Sequence, residues 1–230
     1  MARPVLLVFV KAPTPGRAKT RCVPFLTPDQ ATQLYGALVR DTLRVISELR
    51  QMQPIITYAA DERFPDLRWL DTELPMMAQR GATLGDRLIR AFDEAFSHGA
   101  PSVLALGSDA PELSSGWLGQ ALEALRRHDL VVGPTRDGGY HLIGLTRPQP
   151  TLFRDMPWSQ PQLLTATLAE AARLGLSVQR LAPIEDLDTP EDLKRYLASA
   201  GRTSMSAAAQ CLRALRLGRS AATRASAIAS

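Results

Sequence analysis

Short apolar runs alternate with longer amphipathic stretches along the first 200 residues, and the alternation predicts strands and helices in turn. Pro4-Val-Leu-Leu-Val-Phe-Val10 is continuously apolar, as a strand buried on both faces must be. Thr27-Pro28-Asp29-Gln30 then has the form of a capping box, with Pro28 pre-set for the first helical position. Leu34, Ala37, Leu38, Leu43 and Ile46 follow as a helical stripe to about Arg50. Pro54–Ala59 predicts a second strand, and Met76–Gln79 a short one. From Thr83 to His98 a helix is expected, with Leu84, Leu88, Phe92 and Phe96 recurring every fourth position.

The second half repeats the scheme. Ser102–Leu106 reads as a buried strand, Ser115–Arg127 as a helix, and Leu130–Gly133 and His141–Leu145 as strands flanking a turn. A helix over 160–174, a strand over 177–181 and a helix from Pro190 to about Ala198 complete the pattern. Short strands between amphipathic helices predict a three-layer α/β/α fold around a mostly parallel, mixed sheet. Residues 1–200 are expected to form one domain.

After Gly201 the composition shifts to Ala, Ser and Arg, which predicts a loosely ordered basic extension over 201–230. The chain carries 27 Lys and Arg against 23 Asp and Glu. Five of those cations and none of the acids lie in the last thirty residues, so residues 1–200 are close to neutral. The basic character therefore belongs to the extension, and the body is not expected to bind nucleic acid. Cys22 and Cys211 stand alone without metal-type spacing, which suits a reducing compartment. With no secretory leader pattern and no apolar run near the roughly 18 residues of a membrane span, the expectation is a soluble, cytoplasmic protein.

The connection after the first strand carries the strongest chemical signal. In Lys11-Ala-Pro-Thr-Pro-Gly-Arg-Ala-Lys-Thr-Arg21, Pro15 and Gly16 constrain the backbone while Lys11, Arg17, Lys19 and Arg21 gather positive charge. A rigid cationic loop at the end of a first parallel strand is where α/β proteins hold nucleotide phosphates. Asp109 follows another buried strand in Gly107-Ser108-Asp109-Ala110-Pro111, where a carboxylate can hold a divalent cation that bridges phosphates. Asp186 and Asp188 lie upstream of Thr189, itself a helix cap, so they are free for another task; Asp188 is the better second metal ligand.

Asp137-Gly138-Gly139-Tyr140 is a hairpin turn whose glycines admit a sugar or phosphate close to the main chain. Asp137 can accept a hydroxyl hydrogen bond there, or act as a base. Gln79 and Gly81 precede the second long helix and are candidates for reading a nucleobase edge. Neither a Ser/His/Asp nor a Cys/His arrangement is suggested, and no P-loop signature occurs.

Taken together, these motifs resemble a bacterial family designated as glycosyltransferases, long catalogued as a domain of unknown function and in part linked to arsenosugar biosynthesis. The resemblance spans about residues 4–197 and also includes Gly133-Pro-x-x-Asp137, Trp158-Ser159 and Asp186-x-Asp188-Thr-Pro-Glu-Asp192. It implies the GT-A fold of nucleotide-diphospho-sugar transferases, similar also to guanylyl- and cytidylyltransferases. It further implies Mg²⁺ or Mn²⁺ on Asp109 and Asp188, and phosphates held by Lys11, Arg17, Lys19 and Arg21 with Ser108 alongside. Asp109, Asp137 and Lys19 are then the expected catalytic residues, acting on a sugar nucleotide or nucleoside triphosphate and a small-molecule acceptor. Where GT-A glycosyltransferases often carry Asp-x-Asp, this chain has Ser-Asp-Ala-Pro, which is closer to the nucleotidyltransferases. Glycosyl transfer is the leading expectation, nucleotidyl transfer the alternative, and a non-catalytic nucleotide-binding module the third.

Overall fold

The computed structural model describes residues 2–23, 25–62, 67–199 and 202–215. Seven strands form one sheet: β1 Val5–Lys11, β2 Gln53–Ala59, β3 Met76–Ala78, β4 Val103–Gly107, β5 Leu130–Pro134, β6 Tyr140–Leu145 and β7 Val178–Arg180. Their spatial order is β3-β2-β1-β4-β6-β5-β7. Every neighbouring pair is parallel except the two made by β6, which runs antiparallel to β4 and β5. The expected mostly parallel, mixed sheet is therefore what the chain forms.

Helices α1 Pro28–Ser47 and α3 Ser115–Ala124 cover one face of the sheet; α2 Leu84–Ser97 and α4 Leu163–Arg173 cover the other. On the first face Tyr35, Val39 and Ile46 of α1 and Trp117 and Leu118 of α3 pack on Leu6, Val8, Leu104 and Leu106. On the second, Leu88 and Phe92 pack on Leu7, Ala105 and Ile143. Adjacent strand residues thus serve opposite cores, which is why these strands read as unbroken apolar runs.

The caps lie where the sequence places them. Thr27 accepts from the Gln30 N–H while Gln30 caps back, and Thr189 and Asp192 form the same reciprocal pair at the start of α5 Pro190–Ala198. Thr83 and Asp86 do so for α2. Ser114, not Asp109, caps α3, so Asp109 is not consumed as a helix cap.

One expectation fails in part. Residues 207–215 of the extension form a further helix, α6, and bury Ala208, Ala209 and Leu212 against α1 and α5. Asp41 on α1 accepts from the N–H groups of Ala207 (2.7 Å) and Ala208 (2.8 Å), adding to the local cap in which Ser206 Oγ accepts from the Ala209 N–H (3.1 Å). Low complexity concealed this because Asp41 lies over 160 residues upstream and the apolar partners belong to α1 and α5. The rest of the extension, 216–230, lies outside the described residues. Replacing Asp41 with Ala is expected to cost about 2 kcal/mol of stability, read as a lower urea midpoint, because both amides lose a charged acceptor.

Candidate functional site

From β1 the chain moves outward to β2 and β3, then crosses back to β4 on the other side of β1. Ligands of open α/β sheets bind at such a reversal, outside the carboxyl ends of the strands. Here those ends are Lys11 and Gly107. Because β6 is antiparallel, its first residues, Tyr140 and His141, rise to the same rim, joined by the turn after β5 and the segment after β7.

Lys19 stands at the centre. Its side chain is almost fully buried, and its Nζ donates to Asp109 Oδ2 (3.1 Å) and Asp188 Oδ1 (2.6 Å). Arg21 donates to the other Asp188 oxygen and approaches Asp137 Oδ2 at 3.6 Å. Burial alone would pull the Lys19 pKa down, but the fields of Asp109 and Asp188 outweigh it and hold the ammonium charged. Burial likewise opposes ionisation of Asp188, and Lys19 and Arg21 together keep its pKa below the usual carboxylate range.

Asp186 behaves in the opposite way. Burial, followed by the like charges of Asp188, Asp109 and Asp137, pushes its pKa up to about 7. The sequence reading ranks it behind Asp188, and the structure sets it at the same rim, where the opposing pull of Lys19 is smaller than burial and the three like charges.

The backbone of the basic loop is held by groups that no local pattern reveals. Asp61 accepts from Thr14 Oγ1 (2.9 Å) and lies 3.6 Å from Arg17 Nη1. Tyr35, from α1, accepts from the Lys11 N–H (3.0 Å), lies 3.3 Å from Ser108 Oγ, and passes beneath the Lys11 ammonium. Gly16 at the loop tip takes φ 76°, a conformation that disfavours a side chain, and Lys19 itself is left-handed at φ 50°. Lys11, Lys19, Thr20, Arg21, Asp109 and Asp188 thereby line one pocket of about 380 Å³.

Not every expected residue joins it. Arg17 turns to Asp61 with two-thirds of its side chain exposed, and Pro15 and Gly16 shape the loop from outside. Gln79 spends its amide N–H groups on the carbonyls of Val10 (3.1 Å) and Thr57 (2.8 Å), tying β3 to the ends of β1 and β2. Gly81 packs on the first turn of α2, its carbonyl accepting from Arg87. Ser108 is buried against Tyr35.

Asp137 closes its own turn: Oδ1 accepts from Thr135 Oγ1 (2.6 Å) and from the Gly139 N–H (3.2 Å). At Gly138, φ is 87° and an added Cβ would meet the Pro161 carbonyl at 2.1 Å, so only glycine fits. Gly139, Tyr140 and Asp137 line a second cavity of about 230 Å³, which meets the cationic pocket at Asp109 and Ser159.

A sheet with this reversal, a cationic loop on its first strand and carboxylates facing it belongs to the nucleotide-diphospho-sugar-transferase-like class, and the chain is a transferase of that class. It belongs to the family described as an uncharacterized protein conserved in bacteria (DUF2064), whose profile matches residues 42–160. A solved structure from Desulfovibrio desulfuricans G20, provisionally classed as a nucleotide-diphospho-sugar transferase, is 32% identical. That match has a TM-score of 0.85 and covers 93% of this chain and 95% of the other. A phosphoenolpyruvate guanylyltransferase of Sphaerobacter thermophilus is 26% identical over 186 residues, 80% of this chain and 88% of the relative. A 2-phospho-L-lactate guanylyltransferase of Methanocaldococcus jannaschii is 22% identical over 195 residues, 80% of this chain and 84% of the relative.

Two outcomes follow from the charges. Lys19→Met leaves Asp109 and Asp188 without their shared ammonium and is expected to cost about 2–3 kcal/mol in guanidinium denaturation, discounted because Asp109 is one-third exposed. Adding Asp188→Asn should return a substantial part of that loss. For Asp186, the unfolded carboxyl titrates near 4 and the folded one near 7. Between those values the folded state binds more protons, so stability contributed by neutral Asp186 is full below about pH 4 and lost as pH rises to 7. Chelator-treated Asp186→Asn is expected to lack this decline, seen by comparing urea midpoints with wild type at pH 5 and 8.

Proposed function

We propose that this chain is a metal-dependent transferase that moves a sugar from a nucleoside-diphosphate donor to an acceptor hydroxyl. The observation carrying the reading is the convergence of Lys11, Lys19 and Arg21 with Asp109 and Asp188 at the reversal point of the sheet. Cations there meet the phosphates, while the adjoining cavity holds the group to be transferred.

The acidic side of the site suits a hard divalent ion. Asp109 and Asp188 both turn carboxylate oxygens to the Lys19 ammonium and would hold the ion beside it. Among the described residues no three His, Cys, Asp or Glu could cage a metal, so Mg²⁺ or Mn²⁺ would rest on these two carboxylates and be completed by substrate phosphates. Bound there, such an ion supplies positive charge against the departing diphosphate. Lys11, Lys19 and Arg21 add fixed charge on the same leaving group, placed before reaction and so without reorganisation cost. Asp137, with Oδ1 committed to its turn and Oδ2 toward the rim, orients the acceptor or takes its proton.

Nucleotidyl transfer is the second reading, favoured by the single acid of Ser108-Asp109-Ala110-Pro111 and by the two guanylyltransferase relatives. In it, an acceptor oxygen attacks the α-phosphorus and the same cations face pyrophosphate. The two readings differ in the released product. With sugar nucleotides, nucleoside triphosphates and Mg²⁺ or Mn²⁺ supplied in parallel, nucleoside diphosphate release is expected; pyrophosphate release moves the assignment to the second reading. Asp109→Ala should remove turnover by at least about a hundredfold, in the range seen for a lost electrostatic stabiliser, while its circular dichroism stays native. Unchanged turnover removes Asp109 from the mechanism.

A further inference from the structure

The Trp158-Ser159 pair has no part in the reading above, yet Ser159 stands where the two pockets meet. Of the described residues, only Asp109 and Ser159 line both the cationic pocket and the adjoining cavity. A ligand whose phosphates lie in the first and whose transferred group lies in the second therefore passes between these two side chains. An ionised Asp109 can only accept hydrogen bonds. Ser159 is exposed, and its hydroxyl makes no hydrogen bond among the described residues. Of the two side chains shared by the pockets, it alone can donate to a phosphate oxygen.

The backbone at Ser159 is held in a conformation that serine seldom adopts. Its φ is 63°, in the left-handed region. Four non-glycine residues among those described are left-handed, and two of them, Lys19 and Ser159, line the cationic pocket. Such backbones persist only where the surroundings enforce them, and they gather at ligand sites.

The enforcing contacts lie on both flanks. Before Ser159, the Trp158 N–H donates to the Met156 carbonyl at 2.8 Å. The Trp158 indole stands edge-on to Tyr140 (centroids 6.5 Å) and against Gly85 of α2, where an added Cβ would come within 3.2 Å of Nε1. After Ser159, the Gln160 N–H donates to the Pro157 carbonyl (3.1 Å) and the Leu164 N–H to the Gly138 carbonyl (2.9 Å), while the Pro161 carbonyl closes on Gly138. One flank is thus anchored on α2 and the other on the Asp137 turn. This clamp fixes where the hydroxyl stands without consuming it, which is what a preorganised ligand contact requires.

We infer that Ser159 is a substrate-positioning residue, its hydroxyl donating a hydrogen bond to the phosphate that carries the group to be transferred. The inference rests on the sugar-donor reading above and deepens it, because it assigns the terminal phosphate of the diphosphate to the junction beside Asp109. The nucleoside end then lies farther into the cationic pocket. A neutral donor suits that junction: another cation there would compete with Lys19 for Asp109.

Calorimetry tests this with full-length protein and Mg²⁺. The diphosphates of adenosine, guanosine, cytidine, uridine and thymidine are each titrated beside their own monophosphate into wild type, Ser159→Ala and Ser159→Gly. For a diphosphate that binds, both variants are expected to weaken it about tenfold, the worth of one hydrogen bond to a charged group, and to leave its monophosphate within about twofold. Glycine relieves the left-handed backbone and alanine keeps it, so a purely conformational role separates the two variants, whereas loss of the hydroxyl moves them together. Diphosphate affinity that survives both substitutions, a loss in only one of them, or an equal loss for diphosphate and monophosphate would overturn the proposal alone. If none of the diphosphates binds the wild type, the sugar-donor reading itself fails and the proposal falls with it. Urea midpoints and circular dichroism confirm that both variants fold.

Discussion

The site is organised around one buried ammonium. Asp109 and Asp188 come from segments 90 and 169 residues downstream of Lys19, and without a shared cation these carboxylates would repel one another across a half-buried rim. Lys19 therefore joins three loops and sets the field of the cleft in the same contact. Its left-handed backbone is part of that arrangement, since the loop must turn inward at this residue to bury its side chain. Both the conformation and the desolvation are costly, and the two ion pairs offset them.

Around this centre the rim divides by charge. On one side Lys11, Lys19 and Arg21 face the end of β1, where a phosphate chain would lie. On the other, Asp137, Asp186 and His141 sit among aromatic and aliphatic walls with no cation among the described lining residues. Asp109 belongs to both and stands at the boundary. In the proposed reading the donor's phosphates lie on the first side and its uncharged part on the second. In that reading charge distribution, more than the fold, selects the class of substrate.

The supporting groups explain why the site is rigid. Tyr35 carries the Lys11 amide and touches Ser108, Asp61 holds Thr14, and Gln79 stitches β3 to the ends of β1 and β2. None of these needs to touch a ligand. Gln79 illustrates the ambiguity of a polar residue before a helix: its amide suits a nucleobase edge and a pair of strand-end carbonyls equally well, and its neighbours in space decide between them. Arg17 shows the same for charge, since it shares the basic loop with Lys19 and yet turns to Asp61.

What the sequence determined by itself was everything governed by short range. Unbroken apolar runs marked strands buried on both faces, fourfold spacing marked α2, and Thr27, Thr83 and Thr189 marked helix starts, because periodicity and capping act within a few residues. The basic loop and Asp109 were legible as chemistry because each follows a strand end, where such sheets bind, and Asp188 because it precedes the Thr189 cap without being needed for it. Their meeting was an expectation that only the sheet order could satisfy. Tertiary structure alone decided the rest. The bulge at His141 depends on how β5 pairs with β6, a second cap of α6 on an aspartate of α1, and the raised pKa of Asp186 on burial and on carboxylates that include the distant Asp109 and Asp137. Such features are set by how strands pair and elements pack, which the periodicity within one segment does not specify.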